Sequence, residues 1–96
     1  MNRAEILATA TDYVTRDRAE THGDVEDNFG MIARYWSVHT GMTLTSTDVS
    51  VMMALLKIAR IKSNAGNADN WIDGCGYLAC GGGIATAPTM SSERAE

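Results

Sequence analysis

A chain of 96 residues, 45% hydrophobic and 21% charged, is too apolar to stay disordered and long enough for one domain with a modest core. A formal net charge of −4 without any basic run excludes a general electrostatic grip on nucleic acid or an anionic membrane. No apolar stretch reaches transmembrane length and MNRAEILATATDY lacks the apolar centre of a secretion signal, so a soluble, cytoplasmic protein is expected.

Asn2 and Glu5 form a capping pair at the start of the chain, and Ile6, Leu7, Ala10, Tyr13 and Val14 follow at helical spacing, predicting a first helix to about Arg18. RAETHGD breaks the pattern at Gly23, and Asp24 with Asp27 marks the start of a second helix. Phe29, Ile32, Ala33 and Trp36 give that helix one buried face, with Arg34 outside and Thr40-Gly41 closing it. After MTLTST, Thr47 is the expected cap of a third helix. Its residues Val49, Val51, Met52, Met53, Leu55, Leu56, Ile58, Ala59 and Ile61 surround the axis, which suits either the central helix of the domain or a seam between subunits. Six methionines fit a pliable core or a contact surface.

SNAGNA forms a loop with Asn67 as cap, and DNWIDGCGYLAC is a fourth helix expected to fray near the glycines at 81 to 83. IATAPTMSSERAE, with the only proline, is expected to be extended or mobile. The predicted fold is all-α: a compact bundle of about four helices over residues 1–83, a tail over 84–96, and assembly as a homo-oligomer.

The fourth helix concentrates the chemistry. Asp69 and Asp73 lie at i and i+4, so their carboxylates project from nearly one face and repel unless something offsets the repulsion. Two partners are available: a shared hard cation such as Mg²⁺, or the cations Lys57 and Arg60, which project within about 60° of each other on the third helix. Trp71 and Tyr77 offer rings for stacking a base, while Trp36 belongs to the core stripe. Arg18, His22, Asp24 and Asn28 gather around the turn before the second helix, whose free N–H groups favour an anion. His39 has only a helix dipole to interact with. Gly76, Ala79, Cys80 and Gly83 permit close approach of another backbone or a flat ligand, and tight helix packing is the simpler explanation.

Other chemistries are unsupported. Cys75 and Cys80 point about 140° apart on a helix and read as small apolar residues of a reducing compartment. Two cysteines and two distant histidines do not make a zinc pattern, no nucleophile elbow is present, and Gly81-Gly82-Gly83 lacks the Lys and Ser or Thr of a P-loop.

The runs RAETHGDVEDNFGMIARYW, DVSVMMALLKIARIKSN and DNWIDGCGYLAC resemble a family of small, largely uncharacterised helical proteins encoded by phages and prophages, over most of residues 17 to 80. More distantly, a long helix, a loop and an acidic helix are similar to the MazG-like all-α NTP pyrophosphohydrolases. That resemblance implies oligomerisation, Mg²⁺ held by helix-borne carboxylates, and cleavage of nucleoside triphosphates. Where those enzymes carry Glu-Glu-x-x-Glu, this sequence has Leu56-Lys57-Ile58-Ala59-Arg60, and only Asp69 and Asp73 correspond to the second acidic pair. Cations in place of acids favour direct binding of phosphate.

The expected function is therefore binding of a nucleotide or related phosphate-bearing small molecule between the third and fourth helices and the RAETHGD loop. Lys57 and Arg60 would hold phosphate, Asp69 and Asp73 would orient them or a Mg²⁺, and Trp71 and Tyr77 would contact the base. The phage resemblance points to nucleotide metabolism or sequestration of a defence signal in the host cytoplasm. Two alternatives stand beside it: a Mg²⁺-dependent pyrophosphohydrolase, and a protein-interaction inhibitor of a host enzyme or defence complex.

Overall fold

The computed structural model describes residues 1–17 and 25–88, and every regular element among them is helical. Helix α1 spans Arg3–Asp12 and runs into a π-helical turn, Tyr13–Asp17; α2 is Val25–Thr40, α3 is Ser46–Ser63 and α4 is Ala68–Thr86.

The expected capping pair starts α1. Glu5 N–H donates to Asn2 Oδ1 and Asn2 N–H to Glu5 Oε1, both at 2.8 Å, so two of the orphan donors of the first turn are satisfied. Toward the other end, the Thr11 and Thr15 hydroxyls donate back to the carbonyls of Leu7 and Thr11. Such back-bonding competes with the backbone ladder, and here the helix widens into the π turn. That turn sets Val14 against α4: a β-carbon added at Gly76 would lie 3.2 Å from Val14 Cγ1.

Phe29 and Ala33 of α2 are buried and join Val49 of α3 in the core, with Ile32, Trp36, Met53 and Tyr77 packed around them. The buried face predicted for the second helix is thus the one that packs. The helix ends where Gly41 takes φ 75°, a left-handed conformation that other residues reach only with strain. Ser37 ties the following loop by accepting a hydrogen bond from Leu44 N–H at 2.8 Å.

The cap of α3 is Thr45, two residues before the one expected. Asp48 N–H donates to Thr45 Oγ1 at 3.1 Å and Thr45 N–H to Asp48 Oδ2 at 2.9 Å. The register follows from the reciprocal carboxylate, since three residues after Thr47 stands Ser50, which has none. Helix α4 begins as expected, with Asn67 Oδ1 accepting from Asp69 N–H at 3.0 Å.

It does not fray at the glycines. Gly81 is buried against α3, where the Ser50 hydroxyl donates to the Tyr77 carbonyl, and the helix continues to Thr86. Interhelical packing offsets the backbone entropy that three glycines would otherwise cost. Ile84, expected in the tail, therefore belongs to α4 and packs on the core. Ala87 is extended (φ −66°, ψ 144°), as the residue before a proline must be. The rest of the expected tail, 89–96, lies outside the described residues.

The principal contact is between α3 and α4. The inner side of α3 buries Val49, Ser50 and Ala54, but its outer side leaves Val51, Met52, Leu55 and Ile58 between 40% and 56% exposed. Trp71 and Leu78 of α4 are similarly uncovered, and Met31, Tyr35, Val38 and Met42 form a second exposed apolar stripe running off α2. Among the described residues no helix is long and apolar enough to cross a membrane.

Candidate functional site

Lys57 lies on the α4-facing side of α3, one turn from Ala54 and Ile61. Its stem passes Gly74, where an added β-carbon would stand 3.8 Å from Lys57 Cβ, and its ammonium reaches Asp73 Oδ2 at 3.0 Å. The two side chains are only 13% and 20% exposed. At that burial each charge gives up much of its hydration for the other, so removing one partner leaves a poorly solvated charge. The i,i+4 carboxylates of α4 are thus relieved from outside the helix, by a cation of α3.

The rest of the predicted constellation is dispersed. Arg60, about 60° further round α3, is exposed and makes no ion pair among the described residues. Asp69 is exposed in the first turn of α4, where a negative charge favours the helix dipole. Tyr77 is half-buried with its ring 6.2 Å from that of Phe29 at 32°, a core contact. Trp71 projects about 120° away from Tyr77 around the same helix, is 45% exposed, and donates its indole N–H to the Ala65 carbonyl at 2.9 Å. No single slot contains both rings. Asn28 is half-buried in the first turn of α2, while Arg18, His22 and Asp24 lie outside the described residues.

The cavities decide what could enter. The one beside Asp73 and Tyr77 has a volume of ≈ 10 Å³, room for about one water and no more. A wider, open depression of ≈ 270 Å³ lies between the π turn after α1 and the end of α4; among the described residues its one charged lining residue is Glu26, the wrong sign for phosphate. Another groove, ≈ 160 Å³, runs between α3 and α4 and is lined by apolar residues including Ala54, Ile58, Ile61, Trp71, Cys75 and Leu78.

A Mg²⁺ site of the kind the hydrolase resemblance implies fits these residues poorly. The carboxylate that would hold the ion is taken by the Lys57 ammonium, and the described residues assemble no group of three His, Cys, Asp or Glu side chains. Cys75 and Cys80 are half-buried and form no disulfide, on different sides of α4 as their spacing requires.

Two features escaped sequence reasoning. One is the contact of Ser50 with Gly81; its signal is a small polar residue on the inner side of an otherwise apolar helix. The other is the continuity of the uncovered apolar face across α3 and α4, which needs the helix pairing to be known.

The profile of a family described as a domain of unknown function (DUF6378) matches residues 5–85. The chain belongs to this family. Among curated proteins it is similar to the Gene 55 protein of Mycobacterium phage L5, 41% identical over 73 residues, and to the Gene 55 protein of Mycobacterium phage D29, 32% identical over 75 residues. Those matches cover 75% and 78% of this chain but 47% and 50% of the relatives; the chain spans about half their length. Neither name states an activity. No solved structure matches. The resemblance to small phage proteins is thus a family relationship.

Proposed function

We propose that this DUF6378 chain works by protein contact, through the apolar face that α3 and α4 present together. The observation that carries this reading is the contiguity of Ile58, Trp71 and Leu78 around an apolar groove, with exposed Leu55 three residues before Ile58 on α3. An exposed apolar patch rimmed by polar residues is the usual mark of a protein interface. The phage origin of the relatives points to a host enzyme or defence complex as the ultimate target, in the host cytoplasm. The test is recovery of the tagged chain from expressing cells, wild type beside Leu55→Glu. A stoichiometric complex, whether with itself or with another protein, that the substitution abolishes supports the reading. A wild-type chain recovered alone and monomeric contradicts it.

Binding of a nucleotide or other phosphate-bearing molecule is the second reading. It is favoured by one observation, the meeting of Lys57 with Asp73 across the α3–α4 crevice, with Arg60, Asn28 and the RAETHGD loop as its remaining candidates. A phosphate would have to compete with the Asp73 carboxylate for the Lys57 ammonium. Calorimetric titration with a nucleotide panel, with and without Mg²⁺, separates the readings. Heat in either condition supports binding, and pyrophosphate release with Mg²⁺ supports a MazG-like hydrolase; silence throughout leaves protein contact.

A further inference from the structure

We propose that the outer face of α3 receives a second copy of this chain, the two α3 helices packing antiparallel about a two-fold axis beside Leu55. The proposal rests on the protein-contact reading and names its partner. Asp48, Val51, Leu55, Ile58 and Lys62 follow one another at intervals of three, four, three and four residues, the spacing of a seam between paired helices. Val51, Leu55 and Ile58 are 45%, 56% and 54% exposed, so among the described residues of one copy nothing covers the seam.

The seam is self-complementary in one direction only. Asp48 and Lys62 each stand seven residues from Leu55, about 10.5 Å along the axis on either side. A parallel copy would set Asp48 against Asp48 and Lys62 against Lys62. An antiparallel copy sets Asp48 of each chain against Lys62 of the other, Val51 against Ile58, and Leu55 against itself, which is what an isologous interface requires. Asp48 caps its own helix through Oδ2 alone, so Oδ1 remains to accept from a lysine. The antiparallel arrangement also opposes the two helix dipoles.

Area and shape agree with this partner. Val51, Met52, Leu55, Ile58, Trp71 and Leu78, between 40% and 56% exposed, present roughly 500 Å², at the upper end of apolar patches on monomers and most of the ~800 Å² per partner that a specific interface buries. The ≈ 160 Å³ groove beside Ile58 is a hole for an aliphatic knob of the opposing helix. Its Trp71 wall is held in place by the bond to Ala65, so little side-chain freedom is lost on association. The α2 stripe has Arg34 beside its middle and no lysine or arginine at its Met42 end, so it lacks such end-to-end charge pairing.

Sedimentation equilibrium of the full chain and four variants tests the proposal, with far-UV circular dichroism verifying that each is helical. The wild type is expected to dimerise. Leu55→Glu, which keeps a helix-forming residue at an exposed position, should weaken the dimer at least ~100-fold by placing two charges on the axis. Lys62→Glu and Asp48→Lys should each weaken it about 10-fold, because both symmetry-related pairs become repulsive. Combining the two should restore association to within about 3-fold of wild type, which the accompanying loss of the Asp48 cap cannot do. A wild-type chain that stays monomeric overturns the proposal but not the protein-contact reading, whose complex with another protein would still be lost in Leu55→Glu. A dimer indifferent to Leu55→Glu, or one that charge reversal at Lys62 leaves unchanged, also overturns it.

Discussion

Gly81→Ala tests how α3 and α4 meet. A β-carbon at Gly81 would stand 2.7 Å from Ser50 Cβ and nearer still to its hydroxyl, distances that real side chains do not tolerate. Ser50 cannot swing away, because it is fully buried and its hydroxyl is committed to the Tyr77 carbonyl. The helices must separate, or Ser50 must abandon its bond. Overpacking of this kind costs about 1–3 kcal/mol, and a lost buried hydrogen bond adds about 1–3 kcal/mol. Alanine recovers about 1 kcal/mol of helix propensity, so the net destabilisation should be roughly 1–5 kcal/mol. Gly82 is the internal control: a β-carbon there meets nothing within 4 Å, and Gly82→Ala should stabilise by about 0.5–1 kcal/mol. In thermal unfolding at matched protein concentration, the two neighbours should move the midpoint in opposite directions. For a chain of this size each kcal/mol corresponds to about 4–8 °C. Equal stabilisation by both alanines would refute the close approach of α4 to Ser50.

Other substitutions examine the remaining elements. Thr45→Ala should lower stability by about 1 kcal/mol while Thr47→Ala stays near neutral in urea unfolding, since only Thr45 shares a capping box with Asp48. The reverse ranking would return the helix start to Thr47. Lys57→Met and Asp73→Asn should each cost about 1–3 kcal/mol, and a double-mutant cycle should show coupling of about 1 kcal/mol or more; additive losses would show the pair to be inert. Gly41→Val should destabilise by about 1 kcal/mol or more because φ is positive there, whereas an unchanged urea midpoint would contradict the left-handed end of α2.

Helix content was legible in the sequence because periodicity and caps are local. Phe29, Ile32, Ala33 and Trp36 define their face by spacing alone, and Asn2 with Glu5 and Asn67 with Asp69 need only neighbours three or two residues away. The start of α3 was read two residues late because threonines at 45 and 47 both follow a loop, and the reciprocal bond from Asp48 decides between them. The end of α4 was misread for a different reason. Glycines weaken an isolated helix, but at Gly81 the α3 residue Ser50 packs directly on the backbone, and that compensation is tertiary.

The candidate site divides along the same line. Asp73 with Lys57 was legible because the acid sits away from the helix end and needs a partner, and the preceding helix supplies one. Arg60 and Asp69 diverge from that pair because 60° on one helix, or one turn on another, separates an interface from solvent. Tyr77 and Trp71 share a sequence segment but not a side of α4: one packs on Phe29, the other on the loop at Ala65. The apolar completeness of α3 signalled a central helix or a subunit seam; its inner side is buried toward α4 and its outer side is uncovered.

Hydroxyl-radical footprinting of the chain in lysate of expressing cells, compared with the dilute purified chain, addresses protein contact most directly. Met52 and Trp71 are readily oxidised residues on the uncovered face, and their oxidation should fall severalfold in the lysate while exposed Met1 changes little. Equal oxidation of Met52 and Trp71 in both samples would contradict the account.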